Sequence, residues 1–167
     1  MHWPDRSIPY DETLGELKKK QEEGKIREIG VANFTEQHLR DAAEAGYKVA
    51  VNQIELHPGF KQTDLRHYCA EHNIAVTAYS PLGRGEALEI PTITEIAEHH
   101  NATPAQVILS WMMNQDIITI PKSATPERIA ENFKATEVQL SADDIDRINQ
   151  IEETGRIINP DFADFDY

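Results

Sequence analysis

Cysteine, long apolar runs and basic surplus are all scarce in this sequence, and each scarcity excludes something. A single cysteine, Cys69, in 167 residues leaves no partner for an intrachain disulfide, so a reducing, cytoplasmic setting is expected. No run is apolar enough to span a bilayer, and the start shows no signal-peptide pattern, so the membrane is not an expected partner. Acidic residues outnumber basic ones 29 to 16, giving a formal net charge of -13. Such a surplus repels phosphate backbones, which argues against nucleic acid as a partner. The dinucleotide fingerprint G-x-G-x-x-G is missing too. Its nearest approach, Gly83-Arg84-Gly85-Glu86-Ala87-Leu88, fails at the last position, which removes a Rossmann reading. Metal-ligand spacing is also lacking: His67 and His72 lie five apart, off a common helical face, and His99-His100 fall at a helix end. These histidines and His57 read as structural, and no metal is expected.

What is present is a rhythm. Short β-branched runs at Ile29-Val31, Val49-Ile54, Ile74-Tyr79 and Ile117-Ile120 are bounded by turns, as buried strands are. Helical patterns alternate with them. Leu14, Leu17 and Gln21 share a face that stops at Gly24; Thr35 can cap a helix burying Leu39 and Ala42-Ala43; Leu65, Tyr68 and Cys69 mark another. Thr103-Pro104-Ala105-Gln106 reads as a capping box with proline at the first helical position, and a last helix starts at Ser141. Alternating strands and helices predict parallel βα units in an α/β fold, residues 1–167 forming a single domain. With the doubly wound sheet excluded, the (β/α)8 TIM barrel remains, but that needs eight strands and roughly 250 residues. Four to five βα units amount to a partial barrel, about its C-terminal half.

The most specific segment runs from Ile120 to Asn132. Lys122-Ser123 ends an apolar run, Thr125 and Pro126 open a helix, and Arg128 lies on its first turn. Two cations, a hydroxyl and the orphan N–H groups of a helix start share one small volume, an arrangement suited to a dianionic phosphate. Polar residues also recur at the C-terminal strand ends, where barrels carry their chemistry: Asn33, Gln53 with Glu55 to His57, Tyr79 to Gly83, and Lys122-Ser123.

The segment Lys122-Ser123, Arg128, Glu131-Asn132 resembles the C-terminal signature of the aldo-keto reductases. The resemblance implies that Lys122, Ser123 and Arg128 grip the 2′-phosphate of NADP(H), with Glu131 and Asn132 at the adenine. Gly30-Val31-Ala32-Asn33-Phe34 is similar to a strand end of that family, implying Asn33 at the nicotinamide carboxamide; Ala32 departs from the pattern, standing where the family has a serine. Within Val51-Asn52-Gln53-Ile54-Glu55-Leu56-His57-Pro58, Gln53 falls where the same carboxamide is bound, and Ala78-Tyr79-Ser80-Pro81-Leu82-Gly83 puts Tyr79 where a ring stacks on the nicotinamide, with Ser80 and Leu82 at the pyrophosphate. His2-Trp3-Pro4 resembles the motif ending the family's fourth strand, implying that His2 polarises the carbonyl of a small-molecule substrate and that Trp3 lines its pocket. The family's Asp, Tyr and Lys catalytic residues have no match here, so reduction by this chain alone is expected to be weak. The expectations are therefore an NADP-dependent oxidoreductase that is truncated, or a non-catalytic NADP-binding half-barrel that acts as sensor or scaffold or assembles with another chain. A four-stranded parallel sheet cannot close, so self-association through open sheet edges is expected as well.

Overall fold

The computed structural model describes residues 1–167. In chain order the elements are α1 Tyr10–Glu22, β1 Gly30–Ala32, α2 Glu36–Glu44, β2 Val51–Glu55, α3 Thr63–Glu71, β3 Ala75–Tyr79, α4 Pro91–His99, α5 Pro104–Met113, β4 Ile118–Thr119, α6 Pro126–Phe133 and α7 Ala142–Asn149. Short 3-10 segments at Gly83–Glu89 and Lys134–Glu137 fill in after β3 and α6. The strands form one sheet of four in the order β1-β2-β3-β4, and β1 runs parallel to β2 with Ala32 opposite Gln53. This is the expected succession of βα units, and each predicted strand is present within two residues of its predicted bounds.

By contacts the chain divides into two compact units. The first comprises Met1–Ile54, Thr63–Thr77 and Asn159–Tyr167. Its core is built on Leu14, Phe34, Leu39, Ala42 and Cys69, all buried. The Thr35 hydroxyl accepts from the His38 N–H while His38 returns a bond to the Thr35 N–H, so α2 starts where a capping residue stands in the sequence. Leu17, expected to share the buried face with Leu14, is only half-buried, and Ala43, expected inside with Ala42, is exposed because it lies off the face of α2 that buries His38, Leu39 and Ala42.

The second unit comprises Glu55–Gln62 and Ala78–Ile158. Helix α5 is its centre: Val107, Ile108, Leu109, Trp111 and Met112 are all buried, so the helix is apolar nearly all round. Trp111 satisfies its indole N–H on Asn149 Oδ1 at 2.9 Å. Capping boxes at Thr103 with Gln106 and at Ser141 with Asp144 set the starts of α5 and α7.

The outer edge of β1 was expected to carry unpaired backbone groups, and it does not. The Met1 ammonium donates to Gly30 O at 2.9 Å, and the Ala32 N–H donates to Met1 O at 2.8 Å. At the other end of the sheet β4 has only two residues, and Ile118 and Ile120 remain 52% and 43% exposed. The edge liability therefore rests on one side.

Candidate functional site

In the first unit the strand ends carry His2, Trp3, Asn33 and Gln53. Asn33 follows β1 with φ of 62°, a left-handed conformation that asparagine tolerates better than most residues. It is almost fully buried; its amide donates to His2 O at 3.2 Å and its backbone N–H to Gln53 O at 2.8 Å. Asn33 thus joins His2 through its side chain and Gln53 through its main chain, with the His2 side chain exposed. Trp3 is half-buried and meets the rings of Phe162 and Phe165 edge-on, at 5.3 and 5.7 Å between centroids. An open cavity of about 710 Å³ lies against Trp3, Ile8, Thr13, Phe162 and Asp164. The aromatic wall supplied by 162–165 had no local signature, because it comes from the far end of the chain.

In the second unit Tyr79 ends β3 and Ser80 follows with φ of 49°. Gly83, Arg84 and Gly85 then take φ of 56°, 54° and 107° in succession, a turn that two glycines make affordable. Strained backbone thus sits at Ser80, as it does at Asn33, both residues singled out from sequence. Leu82 and Ser80 are half-buried beside this turn.

The Lys122-Ser123 turn follows β4. Lys122 and Arg128 are exposed, and no carboxylate of the chain takes them up. Thr125 stands at the N-cap of α6 as expected, but its side chain makes no cap bond; Ser123 Oγ instead accepts from the Thr125 N–H at 3.1 Å. The start of α6 therefore keeps donors that its own N-cap side chain leaves unused, which fits an anionic group placed there. Asn132 and Ser123 line one shallow groove of about 300 Å³ with Ile129 and Phe133. Glu131 behaves differently from its neighbours. Its carboxylate accepts from Thr103 Oγ1 at 2.8 Å and its carbonyl from the Gln106 amide at 3.1 Å, so it ties α6 to the start of α5.

A second polar cluster joins strand-end residues Glu55, His57 and Tyr79 to Arg156, which no sequence pattern singled out. Glu55 is fully buried, and its carboxylate accepts from the Ile157 N–H at 2.7 Å and the Ile158 N–H at 2.9 Å. The His57 ring nitrogen approaches the same carboxylate at 3.2 Å, and an Arg156 Nη1 lies 3.9 Å away. Burial raises the Glu55 carboxyl, but His57 and the two N–H donors outweigh it, so its pKa lies below the ordinary value. Arg156 lies over Phe60, 4.7 Å from the ring centroid, and hydrogen-bonds the Tyr79 side chain. Burial, then the Glu55 charge, push the Tyr79 phenol up to about 12 against the pull of Arg156. Nearby, Lys61 donates to Ile151 O at 2.6 Å, and the Thr154 and Gly155 N–H groups donate to Gly59 O at 2.8 and 3.1 Å.

A model described as the aldo/keto reductase family matches residues 1–153. The chain belongs to the aldo/keto reductase family. Among curated relatives, the aldo/keto reductase chain is 42% identical over 161 residues to the 9,11-endoperoxide prostaglandin H2 reductase of Trypanosoma cruzi, covering 94% of this chain and 56% of that one. To the glyoxal reductase of Bacillus subtilis it is 42% identical over 163 residues, covering 96% and 59%. Among solved structures, a mutant of Gox0644 in complex with NADPH superposes with a TM-score of 0.90 at 39% identity, covering 97% of this chain and 60% of that one. This aldo/keto reductase chain therefore spans about three-fifths of the length of the relatives it matches, and its fold is the matching part of their barrel.

Proposed function

We propose that the chain binds NADP(H) and serves the reduction of aldehydes or ketones to alcohols. The observation that carries the reading is the turn after β4. There Lys122 and Arg128 stand exposed and unclaimed at a helix start whose capping side chain leaves its donors unused, in a chain of formal net charge -13. An anion of high charge density is the group this arrangement suits, and the solved relative that holds NADPH supports it. Lys122, Ser123 and Arg128 would hold the 2′-phosphate, Asn132 and the backbone near Glu131 the adenine, Ser80 and Leu82 the pyrophosphate, Asn33 and Gln53 the carboxamide, and Tyr79 the ring. Because the Glu131 carboxylate is engaged by Thr103, its part is to fix α6, with the adenine contact left to its neighbours. The bound cofactor would supply hydride to the carbonyl carbon, and water would supply the proton that turns the alkoxide into the alcohol. His2, whose carbonyl is held by the Asn33 amide, would orient and polarise the carbonyl oxygen, and Trp3 with Phe162 would line its pocket. A cytoplasmic setting suits a nicotinamide-dependent enzyme with one buried cysteine.

The decisive measurement is a pair of fluorescence titrations with NADPH and NADH, on the wild type and Arg128→Ala. Preference for NADPH that collapses in the variant is the expected result; equal affinity for both cofactors, unchanged by the substitution, would overturn the phosphate assignment.

A second reading is favoured by the exposed apolar surface of the second unit. Ile118 and Ile120 on and beside β4, and Ile129 and Phe133 on α6, are 52%, 43%, 54% and 74% exposed. In that reading the chain is a cofactor-binding half-barrel that pairs with a copy of itself or with another chain, and turns over carbonyls weakly alone. Light scattering across a concentration series separates the two: a monomer at every concentration speaks for the first.

A further inference from the structure

The second unit contains a clamp. On one side is the segment from Glu55 to Lys61, on the other Ile151 to Ile158. Glu55 holds the Ile157 and Ile158 N–H groups, the Gly59 carbonyl holds those of Thr154 and Gly155, and the Lys61 ammonium holds the Ile151 carbonyl. The fit is close: a methyl group on Gly59 would meet the Thr154 hydroxyl at 2.6 Å. Between these fixed points Arg156 has little freedom. Its guanidinium lies over Phe60, within 3.9 Å of the Glu55 carboxylate, and bonds the Tyr79 hydroxyl.

A buried carboxylate stripped of water is costly, and a chain does not keep one without compensation. Here the compensation comes from the segment that carries Arg156, so the carboxylate and the guanidinium are placed together. A tyrosine ring at the end of a strand can turn about its side-chain bonds, and a hydrogen bond to its hydroxyl from a fixed, planar donor removes that freedom. We infer that Arg156, held by Glu55 and the clamp, is a positioning residue that fixes the Tyr79 ring for the nicotinamide end of the cofactor. The inference rests on the NADP(H) reading above and extends it to residues outside the phosphate turn. Arg156 touches no reacting atom; it acts through the ring.

The test uses the full chain and three probes: NADPH, NADH, and 2′,5′-ADP, which carries the phosphate and adenine end alone. Arg156→Ala should weaken NADPH and NADH by the same factor, about tenfold as for a lost bond to a charged donor, and leave 2′,5′-ADP unchanged. Arg156→Lys keeps the charge without the planar fork and should recover part of the loss. Tyr79→Phe keeps the ring and removes only the hydroxyl, so it should match Arg156→Ala, and the double variant should be no worse than either. It also serves as the working variant where Arg156→Ala fails to fold. Equal loss on all three probes would mean general loosening of the unit and would overturn the inference. So would unchanged NADPH and NADH affinity in Arg156→Ala or Tyr79→Phe while 2′,5′-ADP still binds. Failure of 2′,5′-ADP to bind the wild type would strike the NADP(H) reading itself, and the inference would fall with it.

Discussion

The turn after β4 and the clamp beneath Tyr79 belong to the same unit and are built on opposite principles. In the turn, the charged groups are exposed, contiguous in sequence and unsatisfied within the protein. In the clamp, the charged groups are buried, drawn from segments about a hundred residues apart, and satisfied wholly by the protein. A group meant for a ligand has to be left incomplete, whereas one that must shape the fold cannot be. Stability should therefore live in the clamp and affinity in the turn, and each prediction below can break that division.

The largest effect on stability is expected at Glu55. Glu55→Ala leaves the half-buried Ile157 and Ile158 N–H groups without their acceptor and removes the charge facing Arg156, which should cost about 3 kcal/mol. Urea denaturation followed by circular dichroism measures it, and a shift below about 0.5 kcal/mol would mean that the clamp is decorative. Glu55 also carries a pH signature. Its pKa is depressed in the folded chain, so its contribution is full above the ordinary carboxylate range and is lost as pH falls through the lower folded value. The wild type should lose more stability than Glu55→Gln on acidification below about pH 4.5, near the unperturbed value.

Next comes Arg128→Ala, which should weaken NADPH by about 1.5–3 kcal/mol, the range for a charge-assisted contact. Its unfolding midpoint should not move, since the side chain is exposed and unpaired. A clear loss of stability would show that the turn is part of the fold after all.

A smaller effect is expected at Asp144, whose carboxylate completes the capping box of α7 by accepting from the Ser141 N–H at 2.9 Å and hydroxyl at 2.7 Å, and accepts from the His100 ring at 2.8 Å. Despite burial, which raises it, the bonds from Ser141 and His100 bring its pKa down to about 2. Asp144→Ala should cost about 1 kcal/mol, a typical capping loss. The difference from wild type should vanish between pH 4 and 2, as the wild-type carboxylate takes up its proton. The smallest effect belongs to salt: raising it should weaken NADPH binding modestly through Lys122 and Arg128 and leave the Glu55 clamp almost untouched.

What the sequence made legible follows from the same division. The helix starts were readable because a cap needs residues only three apart, as in Thr35 with His38 and Thr103 with Gln106. Lys122, Ser123 and Arg128 were readable because one strand end and one helix start bring them together without help from elsewhere. Glu55 stood out only as a polar strand end, and its partners, like Arg156 and Phe162, were not readable, since they lie far along the chain and no local pattern announces a long-range contact. His57 lies against Glu55, a neighbour two residues away that the strand-end pattern already names. Thr125 shows the limit in the other direction: the position was right, but Ser123 bonds the Thr125 N–H while the Thr125 hydroxyl makes no cap.

The separation of Glu55 from Ile157 and Ile158, 102 and 103 positions, has a consequence for synthesis. A ribosome delivers Glu55 long before the N–H groups that will hold it, at roughly 5–20 residues per second. For those seconds the carboxylate must stay in water, and β2 cannot settle with its last residue buried. Its closure is a late event, governed by loop formation over a hundred residues rather than by local propensity. Ribosome-bound chains halted before Ile157 should therefore keep β2 open to proteases that no longer cut it in the released 167-residue chain.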